Sequence, residues 1–229
     1  MRAALSVVIP TLNAERRLAA TLGALFEGLE AGIIRELVIS DGGSGDGTAR
    51  IADEAGAVIL IGSASRGGQL RRGTSLAKGA WVLVLHADTV LPQGWAEHVQ
   101  AHMAQGSGAA VFRLGFDARG AAPFLVAHWA NLRTRLFGLP YGDQGLLISQ
   151  ALLDKIGGYP DQVLMEDVAL ARRLKAANER ITLLPLTVRT SASRYQERGW
   201  IRQGARNLWF LLRYLLGADP ALLGRAYRR

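Results

Sequence analysis

The first part of the chain alternates between short apolar runs and segments with helical spacing, and this alternation restricts the fold more than any other feature. Apolar runs at 5–9, 36–40, 57–61 and 81–85 are typical of buried strands. The segments between them predict helices at 14–29, from 48, and after residues 66–73 as far as Lys78. Strands and helices in this order imply a mainly parallel sheet with right-handed crossovers and helices on both faces. We therefore expect an α/β fold.

The second half of the chain is less regular. It predicts helices at 95–104, 124–137, 165–174 and 199–216, strands at 109–116 and 181–188, a loop entering a strand at 141–149, and a basic tail at 220–229. No internal repeat and no low-complexity linker interrupts it. We expect a single domain spanning 1–229.

Composition excludes several classes of protein. The chain has 229 residues, 49% of them hydrophobic, which indicates a globular domain rather than a disordered one. Because it has no cysteine, it can form neither disulfides nor thiolate metal sites. The apolar N-terminal run breaks at Pro10, and no run is long enough to span a bilayer. We expect a cytoplasmic protein.

The net charge of +8 is carried almost entirely by arginine. Such a charge favours an anionic ligand or surface, such as a nucleotide, a nucleic acid or lipid headgroups. Arginine also gives forked contacts with phosphate. The arginine preference equally fits a compositional habit of the source genome.

Acidic side chains follow two of the predicted strands. Asp88 comes just after the run 81–85, where open α/β sheets bind ligands, and would suit a hard divalent cation. It equally fits a cap on the next turn, with Pro92 starting a helix. Asp41 precedes the glycine-rich turn 42–47 and could accept hydrogen bonds from a base or a ribose hydroxyl. A plain surface turn is the alternative.

Further charged residues predict a site at the same edge of the sheet. Arg66, Arg71 and Arg72 lie between the third strand and its helix, where they would neutralise a diphosphate or simply form a solvated helix start. Glu166 and Asp167 open a helix, as the helix dipole alone would favour, or supply a base for an attacking hydroxyl. Two more candidates are Asp143, in a polar turn, and His86. His86 is either a metal ligand or a structural histidine whose ring nitrogens are hydrogen-bonded within the protein.

Taken together, these residues resemble the family 2 glycosyltransferases of GT-A fold. The resemblance rests on four motifs in order: Pro10-Thr11-Leu12-Asn13 with Glu15, Asp41-Gly42-Gly43-Ser44-Gly45-Asp46-Gly47-Thr48, His86-Ala87-Asp88, and Glu166-Asp167. It covers residues 7–174 and implies a mixed, mainly parallel central sheet. It also implies a nucleotide-binding half at about 1–92, an acceptor half at about 93–198 and a helical tail at 199–229.

The resemblance implies a role for each matching residue. The residues that would bind the nucleotide-sugar are Pro10, Thr11, Asn13, Glu15, Asp41, Gly43, Arg66, Arg71, Ala87 and Asp88. Asp88, with His86, would bind Mg²⁺ or Mn²⁺. Asp167 would be the base of an inverting transfer, with Glu166 and Asp143 beside it. The implied donor is UDP- or GDP-linked and the implied group a hexosyl.

Two residues depart from the family pattern. Gly42 replaces the second acid of the first acidic motif, which loosens or changes the choice of nucleoside. His86 replaces the first acid of the Asp-x-Asp metal motif. One carboxylate with an imidazole is a weaker site for Mg²⁺ and suits Mn²⁺ better.

Finer features of the motifs resemble one bacterial subgroup, the radical-SAM-associated or arsenosugar-biosynthesis glycosyltransferases. The segments that carry this resemblance are 85–89, 141–145 and 166–168. The acceptor is a small molecule or a lipid-linked molecule, and no nucleic acid is expected. Segment 199–216 predicts either an interfacial helix at the inner face of the membrane or a face packed on the enzyme body or on a second subunit of a homodimer.

Two rival functions remain open from the sequence. A sugar-phosphate nucleotidyltransferase also uses a parallel sheet and acids around a metal. That class has a glycine-rich loop with a basic residue directly after the first strand, and residues 10–13 do not match it. A non-catalytic basic module would bind nucleic acid or an anionic membrane with an affinity that falls steeply with salt.

Overall fold

In the computed structural model, which describes residues 3–106 and 108–228, short strands and helices alternate as the sequence predicts. The strands are β1 (Leu5–Thr11), β2 (Ile34–Asp41), β3 (Val58–Ile61), β4 (Trp81–Val84), β5 (Thr89–Val90), β6 (Ala109–Phe116), β7 (Leu146–Ser149) and β8 (Ile181–Thr190). The helices are α1 (Glu15–Gly23), α2 (Phe26–Glu30), α3 (Thr48–Glu54), α4 (Arg66–Leu76), α5 (Trp95–Ala104), α6 (Ala121–Phe137), α7 (Gln150–Lys155), α8 (Glu166–Ala176), α9 (Ser193–Arg198), α10 (Trp200–Leu215) and α11 (Pro220–Arg228). A 3-10 turn covers Gly142–Gln144.

All the strands join one mixed sheet in the order β3-β2-β1-β4-β7-β6-β8-β5. The four N-terminal strands pair in parallel, so the carboxyl ends of β1, β2 and β4 meet at one edge. β7 runs antiparallel to both β4 and β6, while β6 and β8 are parallel. The predicted mixed, mainly parallel α/β sheet is confirmed. It brings the ends of β2 and β4 to the same edge as the turn before β7.

The core lies on both faces of this sheet, because β1 and β4 are buried over nearly their whole length. One face packs the side chains of Leu5, Ile9, Leu83 and Trp95, among others. The other packs Val8, Val84 and Leu70 against the C-terminal half of the sheet. Burial on both sides explains why these strands lack apolar and polar alternation.

The predicted helix at 14–29 is two helices, α1 and α2. The carbonyl of Ala24 accepts a hydrogen bond from the Trp95 indole nitrogen at 2.9 Å. The amide of Gly28 donates to the Leu25 carbonyl rather than to the Ala24 carbonyl. A Cβ on Gly28 would lie 2.6 Å from the Trp95 ring. A distant tryptophan therefore breaks the helical hydrogen-bond ladder, which apolar spacing cannot reveal.

The predicted basic tail at 220–229 is largely the helix α11, and Arg229 lies outside the described residues. Leu223 is fully buried against α8 and α10, beside Val168, Phe210 and Leu211. Among the helices that the structure describes, none is both long and apolar enough to cross a membrane.

Candidate active site

The turns after β1 and β2 are hydrogen-bonded into one unit, which we call the paired turns (residues 10–15 and 41–48). The amide of Asn13 donates to the Ser44 hydroxyl at 2.8 Å, and its side-chain oxygen accepts from the Gly45 amide at 2.9 Å. The amide of Glu15 donates to Asp46 at 3.1 Å. Asn13 has a positive φ of 50°, which asparagine tolerates better than most residues. The first two motifs therefore form a single surface.

Asp41 holds this surface in shape. One carboxylate oxygen accepts from the amides of Gly43 and Ser44, at 2.8 and 2.6 Å. The other accepts from the hydroxyls of Thr11 and Ser44, at 2.7 and 2.6 Å. These hydrogen bonds lower the pKa of Asp41 against the effect of its burial, which raises it. These hydrogen bonds fix the turn around Gly43, whose φ is 87°.

Gln69 joins α4 to the paired turns, and the sequence did not single it out. Its side-chain nitrogen donates to the carbonyls of Thr11 and Ser40, at 2.7 and 2.9 Å. The same side chain fills the space beside Gly42, where a Cβ would lie 3.2 Å from the Ala64 Cα and 3.3 Å from Gln69. A side chain at residue 42 would therefore fit only if Ala64 and Gln69 shifted by a few tenths of an ångström.

The arginines lie differently from the sequence prediction, which placed all of them before the helix. Arg66 is the first residue of α4, which is capped by the Ser65 side chain. Arg71 and Arg72 lie inside the helix, because it begins at Arg66 rather than after the arginines. Arg71 is exposed. Arg72 packs its guanidinium against Gly62 and donates to the Ser63 carbonyl at 3.2 Å, so it braces the loop after β3.

Arg66 links the start of α4 to the start of α8. Its Nε lies 3.7 Å from Glu166 Oε1, and the next amide, of Gly67, donates to the Gln162 carbonyl at 3.0 Å. Ser65 donates to the Asp161 carboxylate at 3.2 Å. The N-terminus of α4 therefore packs directly on the loop that precedes Glu166 and Asp167.

Replacing Gly67 with alanine is expected to destabilise this junction. The added Cβ would collide with backbone atoms of Pro160 and Gln162, which cannot rotate away. Overpacking of this kind costs about 1–3 kcal/mol. The free energy of unfolding in urea measures the loss. Gly204→Ala is the matched control, because its Cβ meets nothing within 4 Å and a helical alanine should be neutral or stabilising. Equal effects of the two variants would contradict the tight contact.

His86 and Asp88 lie between β4 and β5, at the carboxyl edge of the sheet. The His86 ring packs so closely on the backbone of Gly142 that a Cβ there would collide with its Nε2. Burial, together with the charges of Arg66 and Arg194, lowers the pKa of His86 well below its usual value. The ring is therefore neutral at physiological pH. Ala87 between them accepts a hydrogen bond from Thr21 at 3.0 Å through its carbonyl.

Asp167 is held by backbone amides. One of its oxygens accepts from Gly142 at 2.8 Å, and the other accepts from Val168 at 2.7 Å. A cavity of about 20 Å³ lies beside it, lined in part by Tyr141 and Tyr159, and has room for one water molecule. Two backbone donors fix the orientation of this carboxylate. Its remaining lone pairs are left to accept a hydrogen bond or a proton from another group.

Asp143 sits in the same turn as Gly142, and its Oδ1 is buried without a hydrogen-bond partner within residues 3–106 and 108–228. Burial raises its pKa to about 6; the Arg133 charge opposes the rise, and the charges of Asp167 and Asp88 add to it. Carboxylates from three separate segments therefore act on one another at this point. A buried, unpaired acceptor in such a cluster is unusual in a folded protein and marks a candidate ligand position.

Arg133 and Gln144 build the support for this turn, and sequence reasoning missed both. Arg133 lies 3.3 Å from the centre of the Tyr141 ring and donates to the Leu139 carbonyl at 2.8 Å. Gln144 is fully buried and donates to the Phe112 carbonyl at 3.1 Å. One sequence feature could have indicated Arg133. It follows Ala127 and Ala130 at helical spacing, on the side of α6 that is buried.

Glu166 is buried beside Arg66, with 4% of its side chain exposed. Burial raises its pKa to about 7; the Asp167 charge adds to the rise and the Arg66 charge opposes it. An acid whose pKa is raised in the folded state binds more protons there than when unfolded. Stability from this group is therefore greatest at low pH and falls as the pH rises from about 4.5 to about 7.

We expect Glu166→Gln to remove that loss. The free energy of unfolding of the variant, relative to the natural protein, should increase between pH 4.5 and 7 by up to about 3 kcal/mol and then level off. Urea titrations at pH 5, 6, 7 and 8 measure the difference. Asp143 also makes stability fall as the pH rises, and His86 makes it rise. Both residues are present in the variant and in the natural protein, so their effects cancel in the difference. A difference that does not change with pH would refute the raised pKa.

The side chains at this edge of the sheet could give a divalent metal only part of its ligands. Within the described residues, no three His, Asp or Glu side chains are grouped so that they could hold an ion on their own. Asp88 offers a carboxylate and the neutral His86 an imidazole, and the charge of Asp88 also acts on Asp143, whose Oδ1 has no partner among the described residues. Mg²⁺ and similar ions commonly take one or two carboxylates and complete their shell with phosphate oxygens and water.

This sheet, with helices on both faces and acids at the ends of β2 and β4, is a glycosyltransferase fold of the GT-A class. Residues 6–140, more than half of the chain, match Glycosyl transferase family 2. The chain belongs to that family, as the sequence motifs predicted. No match was found among curated proteins.

Solved structures with low sequence identity share the fold. The mannosyltransferase PcManGT from Pyrobaculum calidifontis, in complex with GDP-Man and Mn²⁺, is 18% identical with a TM-score of 0.69, covering 97% of this chain and 67% of its own. Glucosyl-3-phosphoglycerate synthase from Mycobacterium tuberculosis, in complex with Mn²⁺, UDP and glucosyl-3-phosphoglycerate, is 21% identical with a TM-score of 0.58 over 82% of this chain and 70% of its own. S. aureus TarS is 18% identical with a TM-score of 0.64 over 88% of this chain, which spans only 39% of the TarS chain.

Proposed function

We propose that the protein transfers a hexosyl group from a nucleotide-sugar to an acceptor hydroxyl, with inversion at the anomeric carbon. The observation that carries the proposal is Asp143, whose Oδ1 is buried without a partner among the described residues and on which the charges of both Asp88 and Asp167 act, at the edge where the paired turns also lie. Similar folds that hold GDP-mannose or UDP with Mn²⁺, and one that holds UDP with Mg²⁺, support a nucleotide-linked donor.

The donor base and ribose would lie on the paired turns. Pro10 and Glu15 are the side chains proposed to contact them, while Thr11, which is 1% exposed with its hydroxyl on Asp41, would act as a positioning residue. Asp41 would act as a positioning residue, because its lone pairs already hold Thr11, Gly43 and Ser44. A UDP- or GDP-linked sugar is the proposed donor.

Asp167 would take the proton from the acceptor hydroxyl as its oxygen attacks the anomeric carbon. The new carbon–oxygen bond forms on one face of the sugar while the bond to the diphosphate oxygen breaks on the other. The amides of Gly142 and Val168 hold the carboxylate in orientation, at 2.8 and 2.7 Å. Holding the acceptor in line with the leaving group supplies much of the rate.

Arg66 would stabilise the negative charge that develops on the departing nucleoside diphosphate. Its side chain is 42% exposed at the start of α4, so it can reach a ligand while staying close to Glu166. Arg71 is the second cation proposed on this side. A divalent metal, when held by Asp88 and His86, supplies further positive charge at the diphosphate.

A thermal-shift screen of UDP-, GDP-, dTDP- and ADP-sugars, each with and without Mn²⁺, tests the donor site. A ligand that binds only the folded state raises the melting temperature by mass action. We expect one nucleoside to give a shift that requires Mn²⁺ and is lost in Asp88→Ala. No shift with any sugar nucleotide would contradict the proposal.

The rival functions predict other results. A nucleotidyltransferase would release pyrophosphate from a nucleoside triphosphate and a sugar phosphate, whereas a glycosyltransferase releases a nucleoside diphosphate from a sugar nucleotide. A basic binding module would keep its binding when Asp167 is replaced.

The bacterial arsenosugar subgroup, the acceptor and a homodimer stay predictions. A panel of acceptors tests the first two, and a measurement of mass in solution tests the third.

A further inference from the structure

Helix α10 is apolar on two opposite sides. Its inner side buries Phe210 and Leu211 against α8 and α11. Its outer side exposes large apolar side chains by 40–88%: Ile201, Leu208, Trp209, Leu212, Leu215 and Leu216. Because Ile201, Leu208 and Leu212 are seven and four residues apart, they form one stripe along the helix. A monomeric protein rarely leaves so long an apolar stripe in water.

Helix α6, which contacts α10, also exposes large apolar side chains. Its exposed apolar residues are Phe124, Leu125, Trp129, Leu136 and Phe137. Leu125, Trp129 and Leu136 are spaced four and seven residues apart and so share one side of α6. We call the exposed apolar residues of α6 and α10 the outer apolar face.

A row of arginines borders this face on α10. Arg202, Arg206 and Arg213 are spaced four and seven residues apart, and Trp209 lies in the same row. Arg202 and Arg213 are exposed, whereas Arg206 donates to the carbonyls of Ala226 and Tyr227 at 3.3 and 2.6 Å, so Arg202 and Arg213 are the members of the row that can reach a phosphate. Arg198 of α9 and Glu197 join Arg202 and Arg206 in lining an open cavity of about 230 Å³. Gln203 also lines it; its side chain is buried, and its Oε1 has no partner among the residues that the structure describes.

We propose that the outer apolar face and the arginine row dock the protein on a membrane surface containing anionic phospholipids. An interfacial helix lies in the membrane plane with apolar side chains among the acyl chains, tryptophan at headgroup level and arginine on the phosphates. The arrangement of α10 matches each part of this description. The net charge of +8 adds attraction to an anionic surface. This inference does not depend on the proposed transfer reaction.

Charge favours a membrane over a second copy of the chain as the occupant. A dimer formed through this face would bring the arginine rows of both copies to one interface, where like charges repel and lose hydration. Anionic headgroups neutralise the same row.

Co-sedimentation with vesicles tests the proposal. The protein is mixed with vesicles of phosphatidylcholine alone or of phosphatidylcholine with one quarter phosphatidylglycerol, in low and high salt. We expect binding to the anionic vesicles, weaker binding in high salt and little binding to phosphatidylcholine. Equal binding to both kinds of vesicle, or none to either, would overturn the proposal.

Variants separate the two parts of the surface. Leu212→Glu and Ile201→Glu should each lower the vesicle partition coefficient about tenfold or more, because each places a charge among acyl chains. Arg202→Gln and Arg213→Gln should each lower it about fivefold. Leu29→Glu is the matched control, since Leu29 is an exposed leucine of α2, 53% exposed and outside this face; it should bind as the natural protein does.

Two further measurements keep the result interpretable. Thermal melting establishes that each variant folds, and the highly exposed Ile201 gives a second test where Leu212→Glu unfolds. Sedimentation equilibrium measures the mass without vesicles. A dimer that Leu212→Glu dissociates, together with unchanged vesicle binding, would assign the face to a second copy and overturn the membrane proposal.

Discussion

Asp167→Asn is expected to lower the transfer rate about a thousandfold while leaving donor affinity nearly unchanged. A positioned general base contributes on the order of 10²–10⁴ to a rate. Asparagine keeps an oxygen that can accept from the Gly142 amide, which now bonds the carboxylate at 2.8 Å, so the fold of the turn should persist. Release of nucleoside diphosphate from the sugar nucleotide measures the rate, and thermal shift measures donor binding.

Asp154→Asn is the control for this variant, because Asp154 is an exposed acid of α7 whose contact is with Gln150 on the same helix. Its rate should equal that of the natural protein. If Asp167→Asn retained the full rate and Asp143→Asn lost it, the base would be Asp143, whose pKa of about 6 also suits proton transfer near neutral pH.

Asp88→Ala is expected to lower kcat/KM by about a hundredfold to a thousandfold, which is the usual cost of removing one electrostatic stabiliser of a leaving group. It should also abolish the Mn²⁺-dependent part of the thermal shift with nucleoside diphosphate alone, a readout that needs no catalysis. Asp53→Ala, at an exposed acid of α3, is the matched control and should change neither. A Mn²⁺-dependent shift that survives in Asp88→Ala would place the ion elsewhere.

The sequence predicted the regular elements well where local patterns are strong. The predicted strand at 109–116 and helix at 95–104 have the bounds observed for β6 and α5, because each is a clear apolar pattern bounded by turn residues. The break between α1 and α2 was invisible, since Trp95 causes it from a distant part of the chain. The position of Arg71 within α4 was also missed, because the helix cap at Ser65 carries only a short local signal.

The candidate site follows the same rule. The ends of β2 and β4 could be placed from the sequence, because parallel strands bring their carboxyl ends to one edge. Gln69 could not, since its partners are the carbonyls of Thr11 and Ser40, which only the folded chain brings near. The order of acids and glycines was therefore sufficient to predict the family, while the residues that hold those acids in position required the structure. The roles of the acids stay predictions.

The paired turns have a consequence for anyone who wishes to re-engineer this protein. Asn13 bonds Ser44 and Gly45, and Glu15 bonds Asp46, so neither loop has an independent shape. Grafting one loop from a homologue would leave unmatched donors on the other. Both loops should therefore be exchanged together as a cassette, with residue 69 included, and libraries that vary one loop alone will mostly sample misfolded combinations.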